Sequence, residues 1–137
     1  MPYAHHLRVR YAETDQMGVV HHANYILYLE EARTAYMASL GCPYSTLERR
    51  GVGLVVRKLK IHHRASALYE EELVVDTRII SLRGASVTFG YEVLRVEGRQ
   101  RLASAETDLA CIDLARDGRP PRALPDDLRD LLSGEAG

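Results

Sequence analysis

The stretch from Arg8 to Tyr25 reads Arg-Val-Arg-Tyr-Ala-Glu-Thr-Asp-Gln-Met-Gly-Val-Val-His-His-Ala-Asn-Tyr and gathers the side chains best suited to chemistry. Its aspartate, Asp15, lies in a turn-friendly loop with Thr14 and Gly18. Two histidines, His21 and His22, stand where the hydrophobic pattern changes to helical spacing. The first turn of a helix presents unpaired N–H groups and a partial positive charge, which suit a developing oxyanion. A carboxylate beside such an end can act as a general base or a nucleophile. Spacing alone favours a simpler role, in which Asp15 closes a turn or caps the helix.

Other chemistry-bearing residues give weaker patterns. All six histidines come in adjacent pairs, His5-His6, His21-His22 and His62-His63. Neighbours in a strand diverge, and no His-x-x-x-His or nearby cysteine completes a metal site, so no metal is expected. Cys42 and Cys111 match no clustered metal spacing and read as small core residues.

The elements that must position these residues follow from periodicity. Leu7, Val9 and Tyr11 alternate with Arg8 and Arg10 as a half-buried strand. Tyr25, Tyr28, Leu29, Ala32, Tyr36 and Leu40 fall at helical spacing, and Gly41 and Pro43 end the helix. Glu30, Glu31, Arg33 and Thr34 form its polar side. Ser45-Thr46-Leu47-Glu48 fits a capping box opening a short helical turn. Four strands are predicted next: 54–63, 73–82, 86–96 and 101–113. Tight reversals at Arg83-Gly84-Ala85 and Glu97-Gly98 separate the last three. Ala103, Ala105, Thr107, Leu109 and Cys111 make a face of mostly small residues suited to close helix packing. Residues 126–132 are expected to form a terminal helical turn. Hairpin-length connections imply antiparallel pairing, so the fold class is α+β, one embedded helix across a five-stranded antiparallel sheet. One helix covers a single face of the sheet, which predicts a homodimer or a larger oligomer.

The chain has 137 residues, 46% hydrophobic and 27% charged, with a formal charge of −1. At roughly 150 residues per domain, that predicts one domain over residues 1–137 with a core that needs no metal or disulfide staple. The near-zero charge gives no global electrostatic case for nucleic acid or an anionic membrane. No apolar run approaches the roughly 20 residues of a membrane span, and Met-Pro-Tyr-Ala-His-His lacks the regions of a signal peptide, so a cytoplasmic location is expected.

The Arg8–Tyr25 run closely resembles the active-site signature of the hotdog-fold acyl-CoA thioesterases of the 4-hydroxybenzoyl-CoA thioesterase family. The shared pattern is Arg8-Val9, Thr14-Asp15, Gly18-Val19-Val20, His22 and Tyr25. Similarity to the YbgC-like, Tol-Pal-associated branch continues through Glu30-x-Ala32-Arg33-Thr34, Val55-Val56-Arg57-Lys58, Ser81 to Ser86, Ala105-Glu106 and Pro121 to Pro125. The resemblance implies a curved hotdog sheet wrapped around one long central helix, and hydrolysis of an acyl-CoA to free acid and coenzyme A. No cofactor is implied, because coenzyme A belongs to the substrate. The family's catalytic carboxylate falls on Asp15, which would activate water or attack the carbonyl to give a mixed anhydride. The thioester oxygen is expected at the backbone N–H of His22, whose ring is implied to polarise the carbonyl or orient water. Gly18, Val19, Asn24 and Tyr25 match signature positions that shape the pocket. Position 21, usually tyrosine in this branch, is histidine here.

Coenzyme A carries phosphates that need cationic partners. Arg83 and Arg122 match family positions that contact the nucleotide end. Arg57 and Lys58 are secondary candidates, of which alternation in a strand lets one reach a given phosphate. Relatives often have further basic residues beside Arg83, where this chain has Gly84 and Ala85. Another hotdog branch uses a helix glutamate as base; with Asp15 in place, Glu30 and Glu31 read as surface or interface charges. Two other readings share the fold: a hydratase or dehydratase, and a non-catalytic acyl-CoA or acyl-carrier-protein binding module. The hydratase motifs His-x4-Pro-Gly and Asp-x4-His are absent from the sequence.

Overall fold

The computed structural model describes residues 2–136. Strand β1 (Tyr3–Arg8) leads through a 3₁₀ turn (Tyr11–Glu13) to helix α1 (Ala23–Ser39) and the short helix α2 (Tyr44–Arg49). Strands β2 (Val52–His63), β3 (Glu72–Leu82), β4 (Ser86–Arg95) and β5 (Arg101–Asp113) follow, then helix α3 (Asp126–Ser133). The sheet order is β1-β3-β4-β5-β2 and every pairing is antiparallel. This is the hotdog architecture that the resemblance implies.

Alternation builds the inner face. Leu73, Val75, Thr77 and Ile79 of β3 are buried, as are Val87, Phe89, Tyr91 and Val93 of β4 and Ala103, Ala105, Thr107, Leu109 and Cys111 of β5. Tyr25, Tyr28, Leu29, Ala32 and Tyr36 of α1 belong to the same core. Pairing shifts at Val56/Lys58, Ile79/Ser81 and Val93/Leu94, irregularities of the kind that bend and twist a strand. Gly41 closes α1 with φ +84°, a conformation that suits glycine. Its amide donates to the Ala38 carbonyl, and the Cys42 amide to that of Met37, both at 3.0 Å.

Four local expectations are corrected. The first strand runs from Tyr3 to Arg8, and the chain then coils, leaving Tyr11 75% exposed. Helix α2 starts at Tyr44 with Pro43 as its N-cap and no side-chain cap, so Ser45 falls inside the first turn, where its hydroxyl cannot cap. Arg33 is buried: its guanidinium donates to the hydroxyls of Tyr44 (2.9 Å) and Tyr91 (3.2 Å). The backbone of α1 runs nearest β3 and β1, not the small residues of β5. The Arg33–Tyr91 pair reaches toward β5, where the Tyr91 and Thr107 hydroxyls share a 2.5 Å hydrogen bond.

Candidate active site

The loop between β1 and α1 folds back on itself. Thr14 and Val20 form an antiparallel bridge, and the His21 amide donates to the Glu13 carbonyl at 2.9 Å. Asp15 lies at the tip: its amide donates to the Val19 carbonyl (2.8 Å), and its carbonyl accepts the Gly18 amide (3.0 Å). Gly18 takes φ +80°, where a Cβ would be strained. Asp15 Oδ1 accepts the Met17 amide at 2.8 Å. The turn-closing role is therefore real, and it occupies one carboxylate oxygen. A second segment runs beside the loop, with the Val20 amide donating to the Ala67 carbonyl (2.9 Å) and Val19 bridging Leu68.

The head of α1 is largely satisfied from within. His21 Nδ1 accepts the Ala23 amide (3.2 Å), the His21 carbonyl accepts the Asn24 amide (2.9 Å), and the His22 carbonyl accepts that of Tyr25 (3.2 Å). The His22 amide is left without an acceptor among the described residues. The two histidine rings stack with centroids 4.4 Å apart. Asn24 Nδ2 donates to the Glu13 carbonyl at 2.9 Å, so Asn24 fastens the loop to the helix. The Tyr25 hydroxyl accepts the Ala67 amide at 3.1 Å, and burial raises its pKa.

Asp15 lines an open cavity of about 750 Å³ with Tyr11, Ala12, Gly18 and Tyr69, whereas His22 and Tyr25 line another of about 280 Å³ with His63, Arg64 and Ser66. Within one chain these two parts of the site are neighbours along the loop but face different cavities. His63 belongs to the helix-head site, with its ring edge-to-face on Tyr25 at 5.0 Å. Its histidine pair is visible in the sequence, but nothing there says that the end of β2 returns to α1. Glu13 was also missed. Its carboxylate accepts the Arg10 amide (2.8 Å), Arg10 Nε (3.1 Å) and the Tyr28 hydroxyl (2.8 Å). Burial opposes the ionisation of Glu13, but these donors together hold its carboxyl below the usual range.

Arg57, Lys58 and Arg83 line one cavity of about 530 Å³, together with Lys60, Thr88, Glu106 and Asp108. Strict alternation would have separated Arg57 from Lys58, but the bulge between Val56 and Lys58 brings both to this cavity. Arg57 Nε donates to Asp108 Oδ2 at 2.7 Å, while Lys58, Lys60 and Arg83 have no ion-pair partner among the described residues. Arg122 does not line this cavity: its amide donates to the Cys111 carbonyl (3.0 Å) and its Nε to that of Ala123 (3.3 Å). Cys42 and Cys111 are buried, and burial raises both thiol pKa values, which suits core residues rather than nucleophiles. Among the described residues no helix is long and apolar enough to cross a membrane.

Comparison with known proteins places this geometry. Residues 9–132 match the family model of the thioesterase-like superfamily. The chain is 37% identical over 107 residues to the putative acyl-CoA thioesterase YneP of Bacillus subtilis, covering 78% of this chain and 77% of that protein. It is 35% identical over 119 residues to the acyl-CoA thioester hydrolase YbgC of Escherichia coli O6:H1, covering 87% of each. The crystal structure of the DHNA-CoA thioesterase from Staphylococcus aureus superposes with a TM-score of 0.91 at 29% identity, covering 97% of this chain and 89% of that one. A five-stranded hotdog sheet, a signature loop folded onto the head of its long helix, and these relatives agree: the chain belongs to the thioesterase-like superfamily, as a thioester hydrolase of the YbgC-like kind.

Proposed function

We propose that the protein hydrolyses acyl-CoA thioesters, with Asp15 as general base and the His22 amide receiving the carbonyl oxygen. The observation that carries this reading is the folded-back loop: the Thr14–Val20 bridge and the His21-to-Glu13 hydrogen bond tie the Asp15 turn to the His22 amide, which has no acceptor among the described residues. Asp15 takes a proton from water as that water attacks the carbonyl carbon. The developing oxyanion is met by the His22 N–H, and collapse of the tetrahedral species expels the coenzyme A thiolate. A thioester is already activated, so an aligned donor and a weak base suffice. Lys58, Lys60 and Arg83 offer uncommitted positive charge to the coenzyme phosphates.

Two copies are needed in this reading. Strand β2 is paired on one side only, by β5, and its other edge is free to take a second copy. A second chain there closes the open cavities that hold Asp15 and His22 into one site, in an assembly working in the cytoplasm. Asp15→Asn keeps the shape of the turn and removes the base. The expected result is a fall in kcat of about 10²–10⁴-fold with KM little changed, followed by thiol release from short, long and aromatic acyl-CoAs. Wild-type turnover by that variant would end the assignment.

A further inference from the structure

Glu13 is the only buried carboxylate among the described residues, and it sits in the middle of the loop that carries the site. A buried carboxylate is costly unless its oxygens are met by donors. Here Oε1 receives the Arg10 amide and the Tyr28 hydroxyl, and Oε2 the Arg10 guanidinium. Tyr28 lies in the second turn of α1 with its side chain buried, and burial, then Glu13 itself, raises the pKa of its hydroxyl, which stays a donor. The backbone of Glu13 completes the joint. Its amide donates to the Arg10 carbonyl at 3.0 Å, and its carbonyl accepts both the His21 amide and Asn24 Nδ2 at 2.9 Å. One residue thus joins the strand exit at Arg10, the base of the Asp15 turn, the approach to His22 and the body of α1.

We infer that Glu13 is a positioning residue for hydrolysis: by clamping Arg10 and Tyr28 it sets the Asp15 turn and the His22 amide in one fixed relation. This rests on the reading that those two groups do the chemistry. A displacement of about 1 Å between reacting groups can cost a hundredfold in rate, so a clamp of this kind acts on turnover rather than on binding. Glu13→Gln keeps the volume but turns an amide NH₂ toward a guanidinium or a hydroxyl donor, so one arm of the clamp must open. Tyr28→Phe removes the other arm and keeps the ring.

The test combines kinetics with a structural readout. Glu13→Gln is expected to lower kcat by about tenfold to a hundredfold with KM within twofold, and to speed hydrogen exchange at the Asp15 and His21 amides. Tyr28→Phe is expected to do the same to a smaller extent, and the double variant to be no worse than Glu13→Gln, because both act through one clamp. Arg33→Lys, which loosens the core away from this loop, serves as the control and should lower the melting temperature without the kcat loss. Faster exchange at both amides with wild-type kcat overturns the inference, as does an equal kcat loss in the control. Should Glu13→Gln fail to fold, Tyr28→Phe decides: an unchanged kcat with loosened amides rejects the role. These outcomes stand apart from a failure of Asp15 itself, which Asp15→Asn reads alone.

Discussion

Arg33 is the residue whose environment departs most from its letter. Helical spacing puts it on the polar side of α1, yet its guanidinium is buried between Tyr44 and Tyr91 with no carboxylate paired to it among the described residues. Burial drives the Tyr44 hydroxyl up to about 12 against the pull of Arg33, so it remains a neutral acceptor. A desolvated cation held by two hydroxyls depends on the reach of a planar fork, which lysine does not have. Arg33→Lys is therefore expected to cost about 1–3 kcal/mol, through hydrogen bonds to a charged group left unmade. Urea unfolding should give a lower midpoint at unchanged slope, and an unmoved midpoint would put Arg33 among the dispensable contacts. Helical spacing could not reveal this burial, because Tyr44 lies beyond the end of the helix and Tyr91 lies in a distant strand. The signature residues behave differently: Asp15 and His22 stand out as candidates only through the resemblance carried by the Arg8–Tyr25 run, since spacing alone favours a turn or cap role for Asp15. Glu13 has no such signal, since its second donor is Tyr28, 15 positions away.

At the scale of elements, most of the sheet could be read directly, because β2 to β5 alternate clearly and tight turns punctuate them. Strand β1 was half missed: His5 and His6 mask the alternation, and Val9 is buried although it lies outside the strand. The segment 64–71 carried no signal at all, yet it forms a wall beside the signature loop. It is held by Glu71, whose carboxylate pairs with Arg95 and accepts the Leu68 amide at 2.7 Å, while Arg95 also donates to the Ser66 carbonyl at 3.0 Å. The Arg95 hydrogen bond is the main reason that the carboxyl of Glu71 is held below its usual range, with burial opposing it. Glu13, lowered by its own donors, does the same for the neighbouring loop. A carboxyl group with a lowered folded pKa adds stability that is full above its unfolded value of about 4.3, and loses it as pH falls through the folded value. Glu71→Gln should thus be less stable than wild type at pH 7, with the gap closing below about pH 4. Urea melts at pH 7 and pH 3 check this; an equal gap at both would mean that packing, not charge, holds the segment.

For the whole molecule, the two sheet edges are unlike. Strand β1 has six residues, and so short an edge suits exposure to water. Strand β2 has twelve, and Val55, Val56 and Leu59 stand 45%, 41% and 39% exposed along it. A long edge strand with exposed apolar side chains invites pairing, and a formal charge of −1 offers little repulsion between copies. The open cavities that hold Asp15 and His22 give such pairing a functional consequence, since a second chain would complete walls that one chain leaves to solvent. Replacing the exposed apolar side chains of this edge by charge removes the drive to pair, so Val56→Lys with Leu59→Lys should shift the protein to monomer in sedimentation or light scattering. Activity per chain should fall with it and recover as concentration rises, because association restores the shared site. A monomeric double variant with full turnover would show that one chain suffices, and the proposed joining of the two cavities would fall with it.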